Sequence, residues 1–149
     1  MTRSQRLQPL LKVKQQHQDE AARQLAAQEQ ALADQKARLE ALRQYAEEYA
    51  LAGDGSVTNP ALLANRLAFR ARLDQAIAQQ SRVVDASRER SEIERTRLLL
   101  ASRETHVLEK LSASYQADEV RADEKRSQRE LDDLGARRHA RAGGQESTR

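Results

Sequence analysis

Residues 52–60 read Ala-Gly-Asp-Gly-Ser-Val-Thr-Asn-Pro and separate two long segments of helix-forming composition. The two glycines tolerate the backbone angles of a turn. The final Asn-Pro pair is typical of a helix start, because Asn can cap a free N–H and Pro at the first helical position needs no donor. The stretch predicts a loop at 52–59, between a first helix over about residues 5–51 and a second over about residues 60–134.

The composition favours long helices over a globular core. Ala, Glu, Lys, Leu and Arg make up more than half of the 149 residues, as in coiled coils. Aromatic residues are only 3% of the chain and the mean hydropathy is −0.88, too polar for a sandwich, a barrel or a doubly wound sheet. We therefore expect an all-α, rod-like protein with one coiled-coil domain over residues 1–149, ending in a basic flexible tail at 135–149.

Apolar residues recur at alternating spacings of three and four, the pattern of a coiled-coil seam. In the first helix the two columns are 11, 18, 25, 32, 39, 46 and 7, 14, 21, 28, 35, 42, 49. In the second they are 77, 84, 91, 98, 105 and 73, 80, 87, 94, 101, 108, 115. The second stripe is patchier, since several of its positions hold polar residues.

The short connection favours an antiparallel two-helix hairpin with a longer second helix. If residue 51 lies near residue 60, then Leu42 lies beside Phe69 and Lys14 lies opposite Arg97. The N-terminus of the first helix then lies opposite residue ~105 of the second helix. Residues ~106–134 therefore extend beyond the first helix without a partner in the chain, over roughly 45 Å at the helical rise.

No group of residues suggests catalysis. His17, His106 and His139 are isolated, without the spacing of metal ligands. The Gly-Asp-Gly of the loop lacks the preceding strand and following Gly-Lys-Ser/Thr of a phosphate loop. We expect no enzyme activity, no metal and no cofactor.

Nucleic acid and membrane are also disfavoured as direct partners. The net charge is only +3, and acidic residues alternate with basic ones along most of the chain, without interleaved aromatic residues for base stacking. A nucleic-acid binder would associate with nucleic acid at low salt, and that association would be sensitive to the salt concentration. The longest apolar run, residues 98–101, is too short to cross a membrane, and no cysteine is present, as is common in a reducing compartment. The sequence thus predicts a soluble intracellular protein.

Aromatic residues near the loop predict a partner site. Leu42, Tyr45 and Tyr49 share one face of the first helix, and Phe69 and Leu73 share one face of the second. Tyr45 lies off the seam, and two helices cannot enclose both rows. Exposed apolar surface rimmed by charge usually marks a binding site.

Taken in order, several segments resemble the flagellar export protein family FliJ. They are residues 6–14, 19–23, 39–49, Phe69, 73–77 with 79–80, 108–111 and 128–134. The resemblance covers nearly the whole chain, although the glycine-rich loop and the polar middle of the seam are not strong marks of the family.

The resemblance implies a cytoplasmic, non-enzymatic stalk of the flagellar type III secretion apparatus, peripherally associated with the inner-membrane export apparatus. Such a stalk bridges a hexameric export ATPase to the cytoplasmic domain of the export gate, and it interacts with export chaperones. The implied gate-binding residues are Arg38, Leu42, Tyr45, Tyr49, Phe69, Leu73, Ala76 and Gln80. The implied ATPase-binding residues are Leu7, Leu10, Leu11 and Lys14.

Two alternatives stay open at this point. One is the equivalent stalk of a virulence type III secretion system, which shares the architecture. The other is a generic scaffold that dimerises through parallel helices, for which a stable dimer in solution would be the sign.

Overall fold

The computed structural model describes residues 1–52 and 59–144. Two helices account for nearly all of them: α1 spans Arg3–Ala52 and α2 spans Pro60–Gly143. The helices pack against each other in opposite directions, and the described ranges contain no strand. The prediction of an all-α hairpin with a longer second helix is confirmed. The predicted loop lies mostly outside the described residues.

The start of α1 is fixed by a reciprocal pair of hydrogen bonds. The backbone N–H of Gln5 donates to the Thr2 hydroxyl at 3.3 Å, and the Thr2 backbone N–H donates to the Gln5 side chain at 3.0 Å. This is a capping box with Gln in the third helical position. Pro9 lies inside α1 rather than at its first position, because the cap forms earlier in the chain.

The start of α2 agrees with the sequence, whereas its end does not. The Ala61 N–H donates to the Asn59 side chain at 3.0 Å, so the Asn-Pro start is confirmed. At the other end, α2 continues through Gly135 to Gly143, beyond the expected end near residue 134. No glycine among the described residues has a positive φ, so Gly135 is an ordinary helical residue. Residues 145–149 of the predicted tail lie outside the described residues.

The predicted seam is confirmed in both helices. Every column position of α1 from 7 to 49 is buried or half-buried, and so is every column position of α2 from 73 to 115. The most buried residues of α2 are mostly small, including Ser87, Ser91, Ala101 and Thr105, each 5% exposed or less. Small seam residues allow the helices to approach closely, which explains why a patchy apolar stripe still packs.

The helices divide into two compact units. Unit 1 comprises Met1–Gln15 and Arg103–Arg149, and unit 2 comprises Gln16–Ser102. In each unit a segment of α1 packs on a segment of α2. The single domain expected over residues 1–149 stays a prediction.

The predicted register is wrong by about one heptad. Lys14, expected opposite Arg97, instead contacts Glu104 and Thr105 in unit 1. In unit 2, the ring of Phe69 contacts those of Tyr49 and Tyr45, which lie further along α1 than Leu42. A shift by one heptad brings the same two faces together, so the periodicity that identified the seam could not select between the two registers.

The correction changes the length of α2 that lacks a partner. In unit 1, Ser4 reaches Glu119 and Gln8 reaches Ser112, so the pairing extends well past residue 105. Residues 120–144 are all exposed, with Leu131 and Leu134 63% and 57% exposed. Neither described helix contains a segment long and apolar enough to cross a membrane.

Candidate functional site

Three aromatic rings cluster in unit 2, where the sequence predicts a partner site. The Phe69 ring of α2 lies 4.8 Å from the Tyr49 ring and 6.3 Å from the Tyr45 ring, measured between centroids. The Tyr45–Phe69 pair is edge-to-face, a favourable geometry for aromatic rings. Tyr45 nevertheless remains 50% exposed. The cluster thus combines a fixed position with accessible aromatic surface.

The eight residues implied to bind the gate differ in exposure. Arg38 and Tyr45 are exposed, and Leu73 is buried at 8% exposure. The half-buried members are Leu42, Tyr49, Phe69, Ala76 and Gln80. Only the exposed and half-buried side chains offer surface to a partner, so Leu73 acts by supporting the helix pair.

Gln80 has a structural partner. Its side-chain amide donates to the backbone carbonyl of Gln35 at 3.0 Å and to the Gln35 side-chain oxygen at 2.8 Å. Both helices contribute a seam residue to this pair, so it joins α1 to α2 in the middle of unit 2. A substitution at Gln80 would therefore alter helix packing as well as any partner surface.

A groove beside the aromatic cluster contains residues that the sequence analysis did not single out. It encloses about 630 Å³ and is lined by Tyr49, Leu62, Asn65, Arg66, Ala68, Phe69 and Arg72. Leu62 is 55% exposed, and it lies seven residues before Phe69 on the same face of α2. This seven-residue spacing is the sequence signal that places Leu62 on the same face as Phe69, nearer the start of α2.

The residues implied to bind the ATPase all lie in unit 1. Leu10 is 45% exposed, whereas Leu7, Leu11 and Lys14 are half-buried. The Lys14 ammonium forms an ion pair with Glu104 at 2.9 Å, and the Lys14 backbone carbonyl accepts a hydrogen bond from Thr105 at 3.3 Å. Lys14 therefore carries a structural role in addition to any partner contact.

Glu119 holds the start of α1 against α2. Its carboxylate accepts hydrogen bonds from the Ser4 hydroxyl at 2.5 Å and from the Ser4 backbone N–H at 2.9 Å. These two bonds lower the pKa of Glu119 below its ordinary value. Nearby, the Arg3 guanidinium lies 5.9 Å from the centre of the Tyr115 ring, a cation–π distance.

Metal-binding geometry is not found in the part of the chain that the structure describes. Within residues 1–52 and 59–144, no three His, Asp or Glu side chains are grouped so that they could hold an ion. The three histidines are far apart in the sequence: His17 lies in α1, and His106 and His139 lie in α2.

Comparison with known protein families identifies a match over nearly the whole chain. The family model described as flagellar FliJ protein matches residues 3–144. No curated protein and no solved structure matches the chain. The family model covers both helices, including the aromatic cluster of Tyr45, Tyr49 and Phe69 and the seam residues through which α1 packs on α2. The chain therefore belongs to the flagellar FliJ protein family and is a stalk-type component of flagellar type III protein export.

Proposed function

We propose that this protein bridges the hexameric export ATPase and the cytoplasmic domain of the membrane export gate, and that it also interacts with export chaperones. It performs no chemistry of its own in this role, and hydrolysis belongs to the ATPase. The observation that carries the proposal is the contact of the half-exposed Tyr45 ring with Phe69, in a chain of the FliJ family.

The aromatic surface of unit 2 is suited to the gate. Tyr and Phe provide large contact areas at low cost in conformational entropy, and aromatic residues often supply most of the binding energy at an interface. Tyr45 and Arg38 are available to a partner, and Phe69 fixes the position of the Tyr45 ring. The buried Leu73 and the hydrogen-bonded Gln80 support this surface from the seam.

Unit 1 is suited to the ATPase. Leu10 is exposed beside the half-buried Leu7 and Leu11, and Arg3, Arg6 and Lys12 add positive charge along the same segment. A single asymmetric helix pair cannot contact six subunits of a ring identically. It can therefore bind one state of the ring more tightly than another, and only this difference in affinity can shift the ATPase between states.

A flagellar role is favoured over the virulence-type alternative by the family match, which names the flagellar protein. The periodicity of the sequence does not contribute to that preference, because stalks of both kinds share it.

The test for the gate is a titration of the full chain against the cytoplasmic domain of the gate from the same export system. The Tyr45→Ala/Phe69→Ala variant should bind at least about tenfold more weakly, the loss typical of removing central aromatic contacts. Leu99→Ala is a matched control, since Leu99 is 50% exposed, like Tyr45, but lies outside the aromatic cluster. Unchanged gate binding by the double variant, with helicity retained, would contradict the proposal.

A further inference from the structure

The groove beside the aromatic cluster has apolar walls from both helices. Tyr49 of α1 and Phe69 of α2 meet there with their ring centroids 4.8 Å apart, and both side chains are half-buried. Leu62 lies seven residues before Phe69 and is 55% exposed. The groove volume of about 630 Å³ lies within the range of small-ligand pockets, about 300–1,000 Å³. The groove therefore has room for a large apolar side chain of a partner.

One face of α2 supplies most of the groove. Leu62, Asn65, Phe69 and Arg72 follow one another at spacings of three and four, so they lie on the same face of the helix. Ala68 lies between Asn65 and Arg72 along this face, and its methyl group fills little of the space. A partner in the groove would thus meet apolar surface and hydrogen-bond donors together.

The charge of this part of α2 is positive. Residues 60–73 contain three arginines and no carboxylate, and the described lining of the groove contains no acidic residue. Arg66 has a structural partner, because its guanidinium donates to the Ala52 carbonyl at the C-terminal end of α1 at 3.1 Å. Arg72 is exposed and forms no ion pair with any residue in 1–52 or 59–144. The guanidinium of Arg72 is therefore the charge in the groove that a partner can use.

The sequence around Arg72 explains why it lacks an ion pair. Five arginines later in α2 each pair with a carboxylate three residues earlier in the helix; they are Arg88, Arg95, Arg97, Arg121 and Arg126. The residue three before Arg72 is Phe69, and the other neighbouring positions on the helix surface hold two alanines and a glutamine. On α1, neither Glu47 nor Glu48 lines the groove. The hairpin thus places an aromatic ring where its other arginines have an acid.

A carboxylate carried by a partner is the group best suited to pair with Arg72. We propose that the groove receives a segment of the cytoplasmic domain of the export gate in which a large apolar side chain stands beside an Asp or Glu. The apolar side chain packs against Leu62 and Phe69, and the carboxylate pairs with Arg72.

This inference rests on the proposed gate contact and deepens it. The groove shares Tyr49 and Phe69 with the implied gate-binding set, so a partner on the aromatic cluster continues directly into the groove. Leu62 and Arg72 are outside that set, and they determine which chemistry the gate segment must have.

The test is a calorimetric titration of the full chain against the cytoplasmic domain of the gate from the same export system, with two matched pairs of variants. Leu62→Ala removes an apolar wall of the groove and should weaken binding at least about fivefold. Leu63→Ala is its control and should bind like wild type, because Leu63 is 49% exposed but does not line the groove. Circular dichroism verifies that each variant is folded.

The second pair of variants tests the charge. Arg72→Glu should weaken binding about tenfold, and this loss should shrink at higher salt, because exposed charges are screened. Arg70→Glu changes the net charge equally two residues away, but Arg70 does not line the groove, so binding should stay close to wild type. Arg72→Lys keeps the charge and should retain most of the binding. Equal losses in Arg70→Glu and Arg72→Glu would show a general charge effect and would overturn the proposal.

The remaining outcomes separate this inference from the proposed function. Gate binding that neither Leu62→Ala nor Arg72→Glu weakens would overturn the groove assignment, whereas the Tyr45 and Phe69 titration would still decide the gate contact itself. Weakening by only one of the two variants would overturn the proposed pairing of an apolar side chain with a carboxylate. No gate binding by wild type would overturn both proposals.

A second copy of the chain is the alternative occupant. Sedimentation of the chain alone should show a monomer that is independent of concentration. A dimer that Leu62→Ala disrupts and Leu63→Ala does not would place a second copy in the groove and would overturn the proposal.

Discussion

The Glu119 carboxylate on α2 accepts hydrogen bonds from both the backbone N–H and the hydroxyl of Ser4, in the first turn of α1. The first N–H groups of a helix have no partner within the helix and carry partial positive charge. A carboxylate supplied by the opposite helix satisfies one of them and compensates that charge. The contact also holds the start of α1 at a defined level along α2 within unit 1.

The Glu119 contact should make stability depend on pH. The pKa of Glu119 is lowered from its ordinary value of 4.5, chiefly by the Ser4 hydroxyl and then by the Ser4 backbone N–H. The folded state therefore holds the proton less tightly than the unfolded state. Its stabilising contribution is fully present above pH 4.5 and is lost as the pH falls through the lower folded value.

Thermal melting of wild type and Glu119→Gln measures this contribution. The variant should melt at a lower temperature near pH ~7, and the difference should shrink toward pH ~3 as Glu119 is protonated. Glu124→Gln is the control, since Glu124 is exposed and forms no hydrogen bond to a described residue of α1. A difference that stays constant over this pH range would rule out the ionised contact.

The small seam residues of α2 should resist enlargement. Ser91 is 2% exposed, so a leucine there would have to push α1 away. We expect Ser91→Leu to lower the free energy of unfolding by about 1–3 kcal/mol, the usual cost of overpacking. Urea denaturation should show almost no effect for Ser91→Ala or for Ser114→Leu, since Ser114 is exposed on the same helix. Full stability of Ser91→Leu would mean that the seam is looser than the structure indicates.

The helix register can be tested by engineered disulfides, because the chain has no cysteine. Gln35 and Gln80 are in direct contact, so the Gln35→Cys/Gln80→Cys variant should form an intramolecular disulfide on mild oxidation. Gln35→Cys/Leu73→Cys tests a register shifted by one heptad and should stay reduced. Mass analysis of the oxidised product also separates the hairpin from a parallel dimer, which would give cross-linked pairs of chains.

Gly135 should be replaceable with a gain in stability. It lies inside α2, and a Cβ added there would have no atom within 4 Å. Gly135→Ala should stabilise the helix locally by up to about 1 kcal/mol. Hydrogen exchange should slow around residue 135, and far-UV circular dichroism should show equal or greater helicity. Faster exchange would indicate that the segment requires a turn at this glycine.

The sequence predicted the faces of both helices but not how far one is displaced along the other. Seam columns are visible because every seventh position repeats the same environment, as Leu25, Leu32 and Leu39 show. The same repetition makes two registers one heptad apart equivalent in pattern. The choice between the two registers depends on individual contacts, such as that of Ser4 with Glu119, which the heptad pattern does not predict.

Sequence reasoning also predicted part of the candidate site. The off-seam position of Tyr45 predicted its exposure, and the structure agrees. The burial of Leu73 follows from its seam position, and its place in the implied gate-binding set stays a prediction.

The most direct test of the bridging role is sedimentation velocity of the full chain mixed with the export ATPase hexamer and the gate domain of the same export system. One complex containing all three components is expected. Tyr45→Ala/Phe69→Ala should release only the gate domain, and Leu10→Ala/Lys14→Ala should release only the ATPase. Mutually exclusive binding of the two partners, or loss of both with either variant, would contradict a bridge with separate sites in unit 1 and unit 2.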